Sequence, residues 1–224
     1  MHRVIAIDGP SGAGKSSVSR LVGRRLGFLH VDSGALYRLM TWQALRHGIA
    51  PDDEAALTAF APTVDVRFAV RDGAVVYSVE GEEPGEALRT AEINRAVSPV
   101  SKVRAVRERV TRWLRDLRRL GDLIVEGRDI GSVVFPDTPA RFFLDASPEE
   151  RARRRRLEEE GKGMPAQDEA AVLASLLNRD RIDRSRALAP LRVADGATVV
   201  DTTPLTLDQV VETVLSLVPA AWRS

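Results

Sequence analysis

The segment GPSGAGKS, residues 9–16, follows the short apolar run at 4–7 and precedes apolar residues at helical spacing. It matches the pattern G-x-x-x-x-G-K-[ST] in the strand, loop and helix context that this pattern requires. Glycines at positions 12 and 14 can adopt positive φ, so that backbone N–H groups converge on an anion at the helix N-terminus. The segment therefore predicts a phosphate-binding loop in an α/β fold, with a nucleoside triphosphate as its ligand.

The whole loop is expected to contact ATP. The residues predicted to bind it are Gly9, Pro10, Ser11, Gly12, Ala13, Gly14, Lys15, Ser16 and Ser17. Lys15 is a predicted catalytic residue because its ammonium can reach the β and γ phosphates, and the Ser16 hydroxyl is the predicted ligand of Mg²⁺, the expected cofactor. The adenine side is expected to lie against the main chain near 203–205 and against residues of a lid.

Four further apolar runs alternate with amphipathic segments along the chain. They lie at 28–31, at 123–125, in ARFFLDAS and in ATVVDTT. Apolar strands separated by helices predict a five-stranded parallel sheet covered on both faces. Helix starts are predicted at Asp32 or Ser33, at Ser147 before a proline, and at Thr206, whose partner Gln209 has capping-box spacing.

One segment breaks this alternation. The stretch VDVRFAVRDGAVVYSVEGE alternates apolar and polar residues around an Asp-Gly turn signal and predicts a small antiparallel β insertion. After it, Ser98 and Pro99 are expected to start a long helix whose inward stripe is Val103, Val106, Val110, Leu114 and Leu117. The predicted organisation is a single domain over 1–224, with the insertion at 62–97 and a helical lid at 150–165.

Composition excludes several classes of site. The chain has 224 residues, 44% of them hydrophobic, which is enough for one large core. The absence of cysteine excludes disulfides and thiolate zinc sites, and three scattered histidines make a poor metal cluster. Without a membrane-length apolar run or a signal-peptide pattern, the sequence predicts a cytoplasmic protein with no membrane partner.

Several long segments resemble the bacterial cytidylate kinases. They are DSGALYR at 32–38, EGRDIGSVVFPD at 126–137, FLDASPEERARRR at 143–155 and NRDRIDRSRALAPL at 178–191. The similarity extends over nearly the whole chain and is more specific than the phosphate loop alone. It implies an adenylate-kinase-like fold that transfers the γ-phosphoryl group of ATP to CMP or dCMP.

Phosphoryl transfer requires cations that converge from several loops rather than a nucleophilic side chain. The resemblance implies that Arg38, Arg128 and Arg186 face the acceptor phosphate or the transferring group, with Arg128 and Arg186 catalytic. It places Ser33, Arg179 and Asp183 near the acceptor sugar, and Ser98, Arg107 and Asp129 around the base. Any of these arginines could instead be solvated or form a structural ion pair. Asp129 could also orient Mg²⁺ or pair with Arg128.

The run RARRRR at 151–156 has three interpretations, and the simplest is that most of these side chains are solvated on the surface of a helix. In the family it implies a lid in which some of Arg153, Arg154, Arg155 and Arg156 reach the phosphates on closing, and the sequence does not say which. Alternatively it is a nucleic-acid patch, although the net charge is only +1 and three glutamates follow at once.

Two other functions are alternatives to the kinase activity that the resemblance implies. One is a kinase for another small acceptor such as UMP, a coenzyme precursor or a sugar acid. The other is a regulatory NTPase that binds nucleic acid. The favoured partners are ATP together with CMP or dCMP, and no nucleic-acid partner is expected. The protein is expected to be a monomer.

Overall fold

The computed structural model describes residues 2–161 and 168–223. Its strands are β1 (Val4–Asp8), β2 (Leu29–Asp32), β3 (Val66–Arg71), β4 (Ala74–Val79), β5 (Leu123–Gly127), β6 (Ala140–Asp145) and β7 (Thr198–Asp201). Its helices are α1 (Lys15–Leu26), α2 (Ser33–Arg46), α3 (Glu54–Phe60), α4 (Ala91–Val100), α5 (Arg104–Asp116), α6 (Pro148–Gly161), α7 (Glu169–Arg184) and α8 (Leu207–Leu217). Short 3-10 turns follow α3, α5 and α8 and precede α4, and a π-helical turn spans Ile130–Val134.

The central sheet has the strand order β3-β4-β2-β5-β1-β6-β7. The five strands from β2 to β7 in this order pair in parallel, which confirms the predicted parallel sheet. β1 is its middle strand, between β5 and β6, and every residue of β1 and β5 is buried. The phosphate loop therefore leaves the carboxyl end of the most central strand, where open α/β sheets bind ligands.

The predicted insertion forms the antiparallel hairpin β3–β4. Its turn residues Asp72 and Gly73 have φ of 51° and 73°, as a two-residue hairpin turn requires. The hairpin continues the main sheet, because Ala74 pairs in parallel with His30 of β2. The sheet accordingly has seven strands where the sequence predicts five, and Val66, Val75 and Val79 of the hairpin share the main apolar core.

Side chains of β1 alternate between two apolar layers, as the period of a strand requires. Val4 and Ala6 belong to the layer that contains buried residues of α2 and α5. Ile5 and Ile7 belong to the layer that contains buried residues of α1 and α8. Helices thus cover both faces of the parallel strands, and the carboxyl edge stays open for a site.

The predicted helix caps are confirmed. The Asp32 carboxylate accepts the Ala35 N–H at 3.1 Å, and the Ser147 hydroxyl accepts the Glu150 N–H at 3.2 Å. Thr206 and Gln209 form both bonds of a capping box. None of the helices within residues 2–161 and 168–223 is both long enough and apolar enough to cross a membrane.

The predicted helix start at Ser98 and Pro99 is wrong. The Thr90 hydroxyl accepts the Ile93 N–H and caps α4, so that both residues lie in the last turns of a helix that is already formed. Proline has no N–H to bond to the preceding turn, and α4 ends one residue after it. A second helix, α5, then begins after Val103.

Candidate active site

The phosphate loop has the backbone that its glycines predict. Gly12 and Gly14 have φ of 82° and 84°, in the left-handed region that favours glycine. At Gly9 the constraint is contact, because a Cβ there would lie 2.0 Å from the carbonyl oxygen of Leu144 in β6. The loop is therefore shaped by its own glycines and by the neighbouring strand.

Lys15 is the first residue of α1 and is buried under this loop. Its Nζ donates to the Pro10 carbonyl at 2.7 Å. Burial, followed by repulsion from Arg128, lowers the pKa of Lys15 to about 7 against the attraction of Glu126 and Asp8. A bound polyphosphate would supply the anion that this ammonium lacks.

Ser16 and Glu126 meet across two elements. The Ser16 hydroxyl donates to a carboxylate oxygen of Glu126 at 2.7 Å, and the other Glu126 oxygen lies 2.9 Å from Nε2 of the buried His30. Burial would raise the pKa of Glu126, but the His30 hydrogen bond and the Lys15 charge hold it below its ordinary value. A hydroxyl and a carboxylate are the oxygen ligands that Mg²⁺ prefers, so these residues fit the predicted ion.

Asp8 orders the turn that follows β5. Its two carboxylate oxygens accept the N–H groups of Ile130 and Gly131 at 2.8 and 2.7 Å. Burial is the main reason that the pKa of Asp8 is raised to about 7. This side chain therefore fixes the start of the π-helical turn beside the predicted residues Arg128 and Asp129.

Three predicted arginines form a cationic cluster next to the loop. Burial lowers the pKa of Arg179 to about 10, and repulsion from Arg128 and Arg38 adds to the effect. The pKa of Arg38 is lowered chiefly by burial, and Asp32 opposes this from 4.0 Å. Arg179 has no ion-pair partner among the described residues. Partly buried guanidinium groups in excess of carboxylates favour the binding of an anion.

Asp183, near the end of α7, binds two of the predicted arginines. It accepts from Arg128 Nε at 2.9 Å and from Arg186. Ser33 is also buried here, and a Cβ on Gly127 would lie 2.5 Å from its hydroxyl oxygen. Segments far apart in sequence thus meet where β5 ends.

The predicted base-binding residues Arg107 and Asp129 form a buried ion pair. Their Nη2 and Oδ2 atoms are 2.5 Å apart, and Arg107 Nη1 donates to the Ser101 carbonyl at 3.0 Å. Asp129 is therefore paired with Arg107, and the alternative that it pairs with Arg128 is wrong. The Arg107 guanidinium also lies 5.2 Å from the ring centre of Tyr37.

Ser98 is joined to this pair through Ser101, one helical turn later. The Ser98 carbonyl accepts from the Ser101 hydroxyl at 3.0 Å, and Ser101 Oγ in turn accepts from Arg186 Nη2 at 3.2 Å. Ser101, which sequence reasoning missed, thus links the Arg107 and Arg186 guanidinium groups. The serine spacing of three residues was the only available signal.

Arginines 153–156 of α6 are each paired with a glutamate of the same helix. Glu150 binds Arg153 and Arg154, and the remaining pairs are Arg155 with Glu158 and Glu159, and Arg156 with Glu160. This pairing neutralises the basic run and does not favour the nucleic-acid reading. The predicted lid is described only to position 161, and its positions 162–165 lie outside the described residues.

Among arginines 153–156, Arg154 lies beside the phosphate loop. Its Nη1 would lie 3.8 Å from a Cβ on Gly14, and its guanidinium donates to the hydroxyl and the carbonyl of Thr202 at 2.9 and 2.6 Å. Thr202 directly precedes the segment 203–205 that is expected to line the adenine side.

Sequence reasoning also missed Glu126 and Tyr37. Glu126 is the penultimate residue of β5, which lies beside β1, and an acidic residue at that point was a usable signal once the strand order was known. Tyr37 has a buried hydroxyl without a hydrogen-bond partner among the described residues. It stands next to the predicted Arg38, but nothing in the sequence shows which side of α2 faces the site.

Comparison with known proteins gives one consistent result. The family model described as cytidylate kinase matches residues 5–220. The cytidylate kinase of Pseudomonas aeruginosa strain UCBPP-PA14 is 44% identical over 214 residues, covering 95% of this chain and 93% of the relative. That of Geobacter sulfurreducens is 42% identical over 215 residues, covering 96% and 92%. An uncharacterized protein from Eubacterium ventriosum has the same fold at a TM-score of 0.54 and 10% identity, covering 98% of this chain and 99% of that one.

Proposed function

Because the chain belongs to the cytidylate kinase family, it is an ATP-dependent kinase of CMP and dCMP, and we propose that the two residue groups described above hold its two substrates. An oxygen of the acceptor phosphate attacks the γ-phosphorus of ATP. The bond from that phosphorus to the bridging oxygen breaks, and the electron pair leaves with ADP. The products are CDP or dCDP and ADP.

One observation supports assigning the phosphate loop to ATP and the arginine cluster to the acceptor. Arg128 lies close enough to Lys15 to lower its pKa, and it also binds Asp183 in the acceptor cluster. An anion on the phosphate loop and a second anion on the arginine cluster would therefore meet at Arg128. Such positioning and charge neutralisation supply most of the catalysis in phosphoryl transfer.

The proposed roles are those that the family resemblance implies, and the placement of the residues supports them. Lys15 and the loop N–H groups hold the β and γ phosphates, and Arg38, Arg128 and Arg186 hold the acceptor phosphate and the group in transfer. Ser33, Arg179 and Asp183 contact the acceptor near its sugar. Arg107 and Asp129 read the base edge, with Ser98 and its neighbour Ser101 completing that contact.

Mg²⁺ is proposed to bind through the Ser16 hydroxyl, with Glu126 beside it. When bound, the ion would neutralise charge on the β and γ phosphates. His30 holds the Glu126 carboxylate in place from the opposite side. The chain's own part is to present these oxygens next to the loop.

The proposal is tested by measuring ADP production with CMP, dCMP, UMP, AMP and GMP in turn. CMP and dCMP should be the best acceptors, and UMP should be lower by about 10² to 10⁴ in kcat/KM, because two buried polar contacts are mismatched. ADP production that does not depend on CMP, or that RNA stimulates instead, would contradict the proposal.

We further propose that the enzyme acts as a cytoplasmic monomer without nucleic-acid or membrane partners. Light scattering coupled to size-exclusion chromatography tests the monomeric state directly. A stable dimer at micromolar concentration would contradict it.

A further inference from the structure

Arg151 differs from the other arginines of the run 151–156 because it is buried. Only 4% of it is exposed, and its guanidinium donates in three directions. The acceptors are the Ala146 carbonyl at 3.1 Å, the Ser11 carbonyl of the phosphate loop at 3.1 Å, and the Asp180 carboxylate at 2.5 Å. A single side chain thus joins the start of α6, the phosphate loop and α7.

The contact between Arg151 and the loop is tight. A Cβ built on Gly12 would lie 3.0 Å from Arg151 Cβ and 3.1 Å from its carbonyl oxygen. Packed interiors respond to displacement by rearranging and do not absorb it. A shift of Arg151 would therefore move the Ser11 carbonyl and the loop that follows it.

Helix α7 carries two buried aspartates one turn apart. Asp180 and Asp183 are 6% and 2% exposed, and their spacing of three places both on one side of the helix. Asp180 binds Arg151 on the phosphate-loop side. Asp183 binds Arg128 and Arg186 on the acceptor side. The same helix therefore holds an arginine of each substrate site.

Helices α6 and α7 have an apolar cluster of their own. It consists of Ala152, Val172 and Leu176, with Leu173 packed against it, and it is separate from the two larger clusters around the sheet. Because these two helices pack on each other through a cluster that contains no residue of the sheet, they can shift together relative to the sheet. The hydrogen bonds from Arg151 to the phosphate loop and from Arg128 to Asp183 then determine the position of the two helices relative to the sheet.

We propose that α7 couples the two substrate sites, with Arg151 as the positioning residue that transmits the coupling to the phosphate loop. An acceptor phosphate at Arg128 competes with Asp183 for the guanidinium and shifts the resting position of α7. Asp180 carries this shift to Arg151, and Arg151 carries it to Ser11. The inference rests on the proposed function, because it takes the arginine cluster as the acceptor site.

The experiment measures the dissociation constant of the magnesium complex of adenylyl imidodiphosphate with and without saturating CMP, and that of CMP with and without the analogue. In the wild-type chain we expect each ligand to lower the dissociation constant of the other by the same factor, of about 5- to 100-fold, since coupling is reciprocal. In Asp180→Asn this factor should fall to about one, while CMP alone still binds.

Arg151→Lys is the second variant and keeps the positive charge. A lysine ammonium cannot reproduce the planar fork that reaches three acceptors, so the coupling factor should fall here as well. If Asp180→Asn does not fold, Arg151→Lys decides the question alone. A merely structural role would lower the unfolding temperature and leave the coupling factor unchanged.

Asp122→Asn is the matched control. Asp122 accepts from Arg3 at 2.6 and 2.7 Å at the amino ends of the strands, away from both sites. This variant should keep the wild-type coupling factor. Unchanged coupling in Asp180→Asn or Arg151→Lys, or no coupling in a wild-type chain that phosphorylates CMP, would overturn the inference alone. A wild-type chain that does not phosphorylate CMP would overturn the proposed function instead.

Discussion

At the scale of single residues, the environment of the Lys15 ammonium favours the binding of an anion. Its ammonium is buried against one carbonyl and repelled by Arg128, so that without a polyphosphate the charged form is disfavoured. We expect Lys15→Met to reduce kcat by about 10³-fold or more, because the transferring group loses its stabilising cation.

The fold should tolerate Lys15→Met, since methionine buries well in the same space. Thermal unfolding of the variant should be equal to that of the wild type or higher. The matched control is Lys102→Met, an exposed lysine that should keep normal turnover. Near-normal turnover in Lys15→Met would show that the ammonium is dispensable.

The ion pair of Arg107 with Asp129 brings together the two residues that we propose read the base. Cytosine offers an amino donor at position 4 and acceptors at N3 and O2. Uracil has an acceptor at position 4 and a donor at N3 instead. We expect Arg107→Met to raise the KM for CMP steeply and to narrow the ratio of kcat/KM between CMP and UMP. Arg38→Met should impair both substrates alike, because the proposed contact of Arg38 is with the acceptor phosphate.

Removing Arg107 also leaves the Asp129 carboxylate buried without its partner, so Arg107→Lys is needed as a folding control. Steady-state kinetics with both acceptors gives the ratio for each variant. An unchanged ratio in a folded Arg107→Met would exclude base reading by this residue.

At the scale of elements, the first turns of α6 are organised by Glu150. Hydrogen bonds from Arg153 and then Arg154 outweigh partial burial and lower the pKa of Glu150 from 4.5 to about 2. Because the folded pKa is the lower one, this stabilisation is complete above pH 4.5 and is lost as the pH falls through 2.

Glu150→Gln should remove that dependence on pH. The difference in unfolding free energy between wild type and variant is expected to be largest above pH 5 and to shrink steadily at about pH 4 and below. Urea unfolding at a series of pH values measures it, with Asp168→Asn, which caps α7, as a second carboxylate variant outside this cluster. A difference that stays constant with pH would disprove the proposed ionic origin.

Elements whose signals are local could be predicted from the sequence. The phosphate loop, the Asp-Gly hairpin and the capping box each depend on a few neighbouring residues. The boundary between α4 and α5 could not be predicted, because the pair Ser98 and Pro99 is also a common helix start and the cap at Thr90 carries a weaker signal. Glu126 was missed for another reason, since its partner Ser16 is 110 positions away.

At the scale of the whole molecule, two parts lie outside the five parallel strands, and the hairpin shares the main apolar core through Val66, Val75 and Val79. The hairpin β3–β4 joins β2 through one bridge and a hydrogen bond from His30 N–H to the Gly73 carbonyl at 3.0 Å. Helices α6 and α7 are packed by their own small cluster. Both parts border the site, and closing them would exclude the water that competes with CMP for the γ-phosphoryl group.

We therefore expect CMP and a non-hydrolysable ATP analogue together to make the molecule more compact. Small-angle scattering should show a smaller radius of gyration with both ligands than with either one. Hydrogen exchange should slow in the hairpin when CMP is added. Identical scattering curves in all ligand states would contradict closure of either part.

The central position of β1 has a consequence for how the chain is made. Arg3 and Asp122, which bond at the base of β1 and β5, are 119 positions apart. During synthesis the apolar first strand leaves the ribosome long before either of its neighbours exists, and pairing at such separation is slow. The phosphate loop also packs against β6 where Gly9 meets Leu144, so this contact forms only after β6 has been translated.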